Sequence, residues 1–453
     1  MRISPKQFLS GLLYAAPILL LALASCGGGG GGGSTTTPVV APSTPTGVSA
    51  SDVTNCFYRI QVSWNSVTGA TGYNIYRDIA SSVQTTTPLN GSSLVATNAY
   101  TDTSPASNTT YYYKITAANS AGQSSPSAAA SAATPTTTST CVNVGGSVQG
   151  SALAASTQVT TLAGSYPSNG YANGPASTAQ FNSPTAITTD GVNLYIADKA
   201  NDVIRKIAIS SGTVSTVAGT ALTPGSSNSP TPLFNQPDGI TIDPTGRYLY
   251  VSDTGNGSIR MIDLSTTPAT VSTLAQQSAI GSGAVPRGIT IDTAGTYLYV
   301  ADVLNGKIVR VTTANGTATV VASALVSPIG ITTNGTTLYV TENGNGTIGN
   351  GTISTILITG NTYTPSVVTG FSSPQGITSD GTNLYVTNSG DHTIDKVVIG
   401  SPWTKTIITG TAGLGYNNGS VATAKFNTPT GTTTDGTYLY VADTGNQVIR
   451  KIQ

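Results

Sequence analysis

Pro237-Asp238-Gly239-Ile240-Thr241-Ile242-Asp243, Pro244-Thr245-Gly246-Arg247, Tyr248-Leu249-Tyr250-Val251-Ser252-Asp253 and Thr254-Gly255-Asn256-Gly257-Ser258-Ile259-Arg260-Met261-Ile262 run on as one continuous stretch, and its reading decides the fold. Gly239 to Asp243 alternates and is rich in β-branched residues, the signature of a strand. Pro244-Thr245-Gly246 has turn chemistry. Tyr248 to Ser252 reads as a second strand. Thr254 to Gly257 is a turn of residues that tolerate positive φ. Ser258 to Ile262 reads as a third strand and Val271-Ser272-Thr273-Leu274 as a fourth. The same pattern recurs six times between Phe181 and Gln453. Its prolines are Pro184, Pro237, Pro286, Pro328, Pro374 and Pro429, and its second-strand tyrosines are Tyr195, Tyr250, Tyr299, Tyr339, Tyr385 and Tyr440. The mean spacing of those tyrosines is 49 residues. A fixed period of this size means like units stacked or closed into an array.

Four short antiparallel strands per unit make a β-propeller blade. The expected fold class is therefore all-β, with a six-bladed β-propeller over 157–453. Helical periodicity is missing, which argues against an α-solenoid. The last repeat stops after its third strand, Val448-Ile449-Arg450-Lys451-Ile452. Val159-Thr160-Thr161-Leu162-Ala163-Gly164, just before the first repeat, matches the fourth strand Val214-Ser215-Thr216-Val217-Ala218-Gly219. The N-terminal strand is expected to complete the last blade, which removes exposed sheet edges.

These residues resemble NHL repeats, through Pro-x-Gly-Ile-Thr, Asp-x-x-Gly, Leu-Tyr-Val-Ala-Asp-x-x-Asn and Ile-Arg-Lys-Ile. The match is best over Phe181–Ile207, Phe234–Ile262 and Phe426–Ile452. The fourth repeat reads Leu338-Tyr339-Val340-Thr341-Glu342, with Gly349 at the arginine's place. The fifth has Asn388 for Asp and Asp395 for Arg, and the third slips its arginine from Val309 to Arg310.

Arg2 and Lys6, the apolar run Phe8 to Ala24 and the small residues after it form a secretory signal. Leu23-Ala24-Ser25-Cys26 resembles the bacterial lipoprotein signal. The resemblance implies removal of 1–25 and lipidation of Cys26; the alternative is an ordinary signal peptide with a chance cysteine. Residues 26–43 form a Gly/Ser/Thr-rich tether. No Asp follows Cys26, so the expected location is the outer membrane of a Gram-negative bacterium, on its periplasmic side or at the cell surface.

Residues 44–135 resemble a fibronectin type III domain, through Val62-Ser63-Trp64, Tyr73-x-Ile75-Tyr76-Arg77, Tyr100-x-Asp102 and Tyr111-Tyr112-Tyr113-x-Ile115. Trp64 and the alternating tyrosines would fill the space between two sheets of a β-sandwich. Residues 136–156 read as a linker. With Cys26 lipidated, Cys56 and Cys141 remain, and an even pair in an exported chain favours a disulfide. Cys56 opens the second strand of such a sandwich and Cys141 comes just after its last, at the same end.

Lys and Arg total 18 against 18 Asp and Glu, for zero net charge. Nucleic-acid binding needs a basic surface, so it is excluded. The residues after the anchoring prolines, Thr185, Asp238, Arg287, Ile329, Gln375 and Thr430, are expected at the channel mouth. One carboxylate and no histidine make a poor metal cage, so neither a metal, a cofactor nor a catalytic residue is expected. His392 reads as a turn residue. Asp198, Asp253, Asp302, Glu342 and Asp443 read as acceptors for turn amides. Arg205, Arg260 and Arg450 are expected to pair with neighbouring blades or solvent.

Long loops lead into blades six, one and two. Tyr171 and Asn173 lie on one, Tyr416 and Asn418 on another. They either form a recognition ridge, as loops on rigid scaffolds commonly do, or seal the closure seam. The expected function is a binding or scaffolding module for a protein, peptide or glycan, touching the membrane through its anchor alone. The alternatives are a lyase or lactonase acting at the channel and a purely structural surface or matrix component.

Overall fold

The computed structural model describes residues 39–52, 60–91, 94–102, 105–106, 108–134, 142–144, 147–149, 153, 156–344, 349–411 and 413–453. The chain is all-β. Cys26, Cys56 and Cys141 lie outside the described residues, and so do the expected lipidation and disulfide. Among the described residues no helix is long and apolar enough to cross a membrane.

The N-terminal part forms two antiparallel sheets. Ser49–Asp52, Ile60–Ser63 and Ala99–Asp102 make one; Gly72–Asp78, Thr110–Asn119, Gly122–Gln123 and Ala130–Ala133 make the other. Ile60, Val62 and Trp64 from the first meet Tyr73, Ile75, Tyr113 and Ile115 from the second. Trp64 packs edge-on against Tyr73, with ring centroids 5.1 Å apart. The stretch read as a plain linker contains a hairpin, Val142–Val144 with Ser147–Gln149.

The rest is a β-propeller. Among the described residues it has six sheets of at least four strands. Their first strands are Pro184–Thr189, Pro237–Ile242, Pro286–Ile291, Pro328–Thr333, Pro374–Ser379 and Pro429–Thr434. Each touches the next in order, and the sixth touches the first, so these inner strands form a cycle around a channel. The last sheet takes its fourth strand from Gln158–Ala163, with Val159 opposite Ile452 and Thr161 opposite Arg450. Gly419–Ser420 pairs outside it.

The recurrent spacing of Pro-x-Gly is explained by how closely the inner strands approach. A Cβ on Gly330 would stand 2.1 Å from the Gln375 carbonyl oxygen, and one on Gly376 would stand 2.2 Å from that of Thr430. Thr341 adds a tie on the same side. Its Oγ1 accepts from the Gly330 N–H at 2.8 Å and donates to the Gln375 carbonyl at 2.7 Å. Between sheets, apolar faces interdigitate; Tyr195, Ile204 and Ala218 of the first meet Ile240, Leu249 and Val251 of the second.

The chain enters the ring from one end of the channel. The Leu153 N–H donates to Asp380 Oδ2 at 3.1 Å, and Asp380 directly follows the inner strand Pro374–Ser379. The Ser147–Gln149 strand lies against the inner strands of the fifth and sixth sheets. The other end, where the prolines and lead-in loops sit, is left open by this segment.

Candidate functional site

Three arginines organise the open end. Arg205 is fully buried and lies between the rings of Tyr171 and Phe181, at 4.8 and 5.2 Å. Its Nη1 donates to Asp198 Oδ2 at 2.7 Å and to the Gln180 carbonyl at 3.0 Å. Its Nη2 donates to the Ala172 carbonyl at 2.7 Å and to Asn173 Oδ1 at 2.9 Å. Asp198 Oδ1 accepts from the Asn182 N–H at 2.7 Å. Burial pushes Asp198 up to about 6, against the pull of the Asn182 amide, Asn201 and Arg205. Arg450 repeats the arrangement with Asp443, the Asn417 carbonyl and Asn418 Oδ1. Arg260 repeats it with Asp253, the Ser227 carbonyl and Asn228 Oδ1.

These arginines therefore pair inside their own sheet, not with neighbouring blades or solvent. The aspartates accept from the lead-in loop and the arginine more than from the hairpin turn. All four loop residues singled out from the sequence touch this clamp or the strand beside it. The Tyr171 hydroxyl meets Thr216 Oγ1 at 2.7 Å, and that of Tyr416 meets Thr161 Oγ1 at 2.8 Å. Asn173 and Asn418 hold the arginine forks and also accept from Thr216 and Thr161. Asn228 is the third member, which sequence reasoning missed; the common spacing to the arginine was the signal. Beyond the clamp, Tyr166 stacks on Tyr416 at 4.0 Å and is 46 % exposed. A groove of about 340 Å³ runs beside this pair.

The fourth and fifth repeats replace the clamp. Register puts Ser354, not Gly349, opposite Val340, where the arginine stands in other sheets. Ser354 donates to Glu342 Oε1. In the fifth sheet Asp395 is opposite Val386, and Asn388 Nδ2 donates to it at 3.4 Å.

At the channel mouth the six residues after the prolines line one cavity of about 80 Å³, as their repeat position predicts. Arg287 reaches across it. Its Nε and Nη2 donate to Asp238 at 3.2 and 3.3 Å, and Nη2 also donates to Gln375 Oε1 at 3.3 Å. Lys199 Nζ donates to Asp238 Oδ2 at 2.6 Å. Burial works against the Asp238 charge, but Arg287 and Lys199 together outweigh it and hold the carboxyl below its ordinary value. Among the residues that line this cavity Asp238 and Arg287 offset one another, and Lys199, just outside the lining, is a second cation on Asp238. Below this ring come Ile187, Ile240, Ile289, Ile331 and Ile377, with Thr432 in the sixth place. The Thr432 hydroxyl is buried and has no hydrogen-bond partner.

His392 holds a left-handed turn position, φ 60°, and its Nδ1 accepts from the Thr428 N–H at 3.0 Å. Asp202 and Gln447 occupy like positions and accept from Gln236 and Ser183. Tying one sheet's turn to the next sheet's lead-in is thus a shared structural task. Among the described residues no group of three His, Cys, Asp or Glu side chains could hold a metal.

Residues 225–344 match the family described as SMP-30/Gluconolactonase/LRE-like region. Over 101 residues the chain is 35 % identical to NHL repeat-containing protein 2 of Homo sapiens, covering 21 % of this chain and 14 % of that protein. The chain thus spans a small part of that relative's length. A structural genomics protein of unknown function from Bacteroides thetaiotaomicron has a similar fold, at TM-score 0.51 and 14 % identity, over 92 % of this chain and 98 % of that one. An auxiliary nutrient binding protein from the same organism is similar at TM-score 0.52 and 14 % identity, over 91 % and 97 %. The repeats are NHL-like and the fold is that of a β-propeller.

Proposed function

We propose that this chain is a lipid-anchored binding module of a bacterial cell envelope. Cys26 carries the lipid and residues 26–43 are the tether. The sandwich over 44–135, read as a fibronectin type III domain pinned by Cys56–Cys141, acts as spacer. The six sheets are the blades of one closed propeller, and its open end receives the ligand.

The observation that carries the binding reading is the mouth itself. A small cavity, ringed by buried and half-buried polar groups, sits at the end of the channel that the incoming chain leaves free. Exposed apolar side chains surround that end on the lead-in loops and hairpin turns: Tyr166, Tyr171, Leu222, Leu304, Val326 and Leu414. Rigid scaffolds with loop-borne contact residues serve recognition well. The fold likeness to an auxiliary nutrient binding protein agrees with this reading.

Protease shaving of intact cells tests it. Cleavage within the propeller on whole cells assigns the partner to the cell exterior; cleavage only after the outer membrane is opened assigns it to the periplasm. Retention of the chain in the soluble fraction would refute the anchor.

A lactonase-type activity is favoured by one observation, the family match over residues 225–344. At the mouth, however, Asp238 is already bound by two cations, which leaves it a weak general base. Turnover of sugar lactones, abolished in Asp238→Asn, would establish that reading instead.

A further inference from the structure

We infer that the channel mouth binds a carboxylate, an assignment that rests on the binding-module reading and gives its ligand a chemical class. The charged groups there with hydrogen-bonding capacity to spare are donors. Arg287 spends Nε and Nη2 on Asp238 and Gln375, and its Nη1 has no partner among the described residues. Gln375 accepts through Oε1, which turns its Nε2 donor away from Arg287. Lys199 uses one of its three protons on Asp238. The ring's one carboxylate is already held at both oxygens, and the Thr430 hydroxyl donates its proton to the Thr185 carbonyl at 2.7 Å. Arg287 Nη1 and the Lys199 ammonium are charged donors with capacity to spare, and such donors call for an anionic acceptor such as a carboxylate.

The floor limits the size and chemistry of the group that bears the carboxylate. Five isoleucines and Thr432 form a narrow collar, and about 80 Å³ admits only a few non-hydrogen atoms. Thr432 stands where the other five repeats carry isoleucine, and its buried hydroxyl lacks a partner. Such a group is costly to leave unpaired in an apolar collar. The ligand is thus a carboxylate on a small tip, from a free organic acid or from an acidic side chain of a polypeptide.

Titration of the full chain by calorimetry tests this, with acetate, glycolate, galacturonate and a short Asp/Glu-rich peptide as probes. Acetamide and galactose are the neutral controls. The acids bind and the neutral analogues do not. Arg287→Gln weakens every acid by at least about 10-fold. Tighter binding of the small acids identifies a free acid as the source; tighter binding of the peptide identifies a polypeptide. Equal binding of acetate and acetamide overturns the assignment. So does unchanged affinity in an Arg287→Gln protein that melts like the parent, or a lack of binding by every acid. Those failures leave the mouth face as a binding surface untouched, because crosslinking in cells probes that claim without any chosen ligand.

Discussion

Arg205 and Asp198 are both fully buried, so their desolvation is large and only their partners offset it. Removing one partner should be costly. Arg205→Met is expected to lower stability by about 3–5 kcal/mol at neutral pH, measured by denaturant unfolding. The loss should shrink toward pH 4. Asp198 is raised to about 6, so the folded chain binds its proton more tightly than the unfolded chain does. Its contribution is fully present below the ordinary carboxylate value and declines as pH climbs through about 6. Without Arg205 that decline extends to higher pH, because the charge opposing burial is gone; a flat pH profile for the variant would contradict this. The residue types of the clamp were legible, and their pairing was also within reach. Asp198 and Arg205, Asp253 and Arg260, and Asp443 and Arg450 share one spacing, always with a long lead-in loop before them. The fourth repeat defeats such counting, because extra residues in its hairpin shift the register and place Ser354, rather than Gly349, at the arginine's position.

The inner strands show what a repeated motif encodes at the level of the element. Pro-x-Gly-Ile-Thr reads plainly as the start of a strand, yet the reason for its glycine lies in the neighbouring strand. A methyl group on Gly330 would collide with the Gln375 carbonyl at 2.1 Å, which is backbone and cannot swing aside. Gly330→Ala should therefore cost about 1–3 kcal/mol or more, read from the thermal midpoint. Ala186 holds the equivalent place in the first sheet, so Ala186→Gly should change little beyond about 1 kcal/mol. An equal, negligible effect for both would remove close approach as the explanation. Gly inside a strand often marks such an approach, and that much the sequence did signal. The mouth ring was legible for the same reason, since one repeat position supplies all six residues. The reach of Arg287 from the third sheet to the fifth was not, because it depends on the width of the ring.

At the scale of the whole molecule, the ends of the chain matter most. Gln158–Ala163 covers the edge of Val448–Ile452, and removing it would leave an unpaired strand edge free to pair with other chains. A chain beginning after residue 164 should lose its cooperative melt and elute as oligomers in size-exclusion chromatography; a monomer with an unchanged melt would contradict closure through this strand. The match between Val159–Gly164 and Val214–Gly219 makes this pairing readable in the sequence, whereas the hairpin at Val142–Val144 and Ser147–Gln149 carries no comparable repeat signal. On the proposed lipid anchor, Cys26→Ser should shift the protein to the soluble fraction, because stable anchoring takes more than one acyl chain; unchanged membrane association would contradict that proposal. The central claim is that the open end of the channel is the working face. Its most direct test is photo-crosslinking in intact cells from Leu304, exposed at that end, and from Thr266, exposed at the opposite end. A specific adduct from Leu304 and none from Thr266 is the predicted result. An adduct from Thr266 alone, or from neither position, would contradict the account.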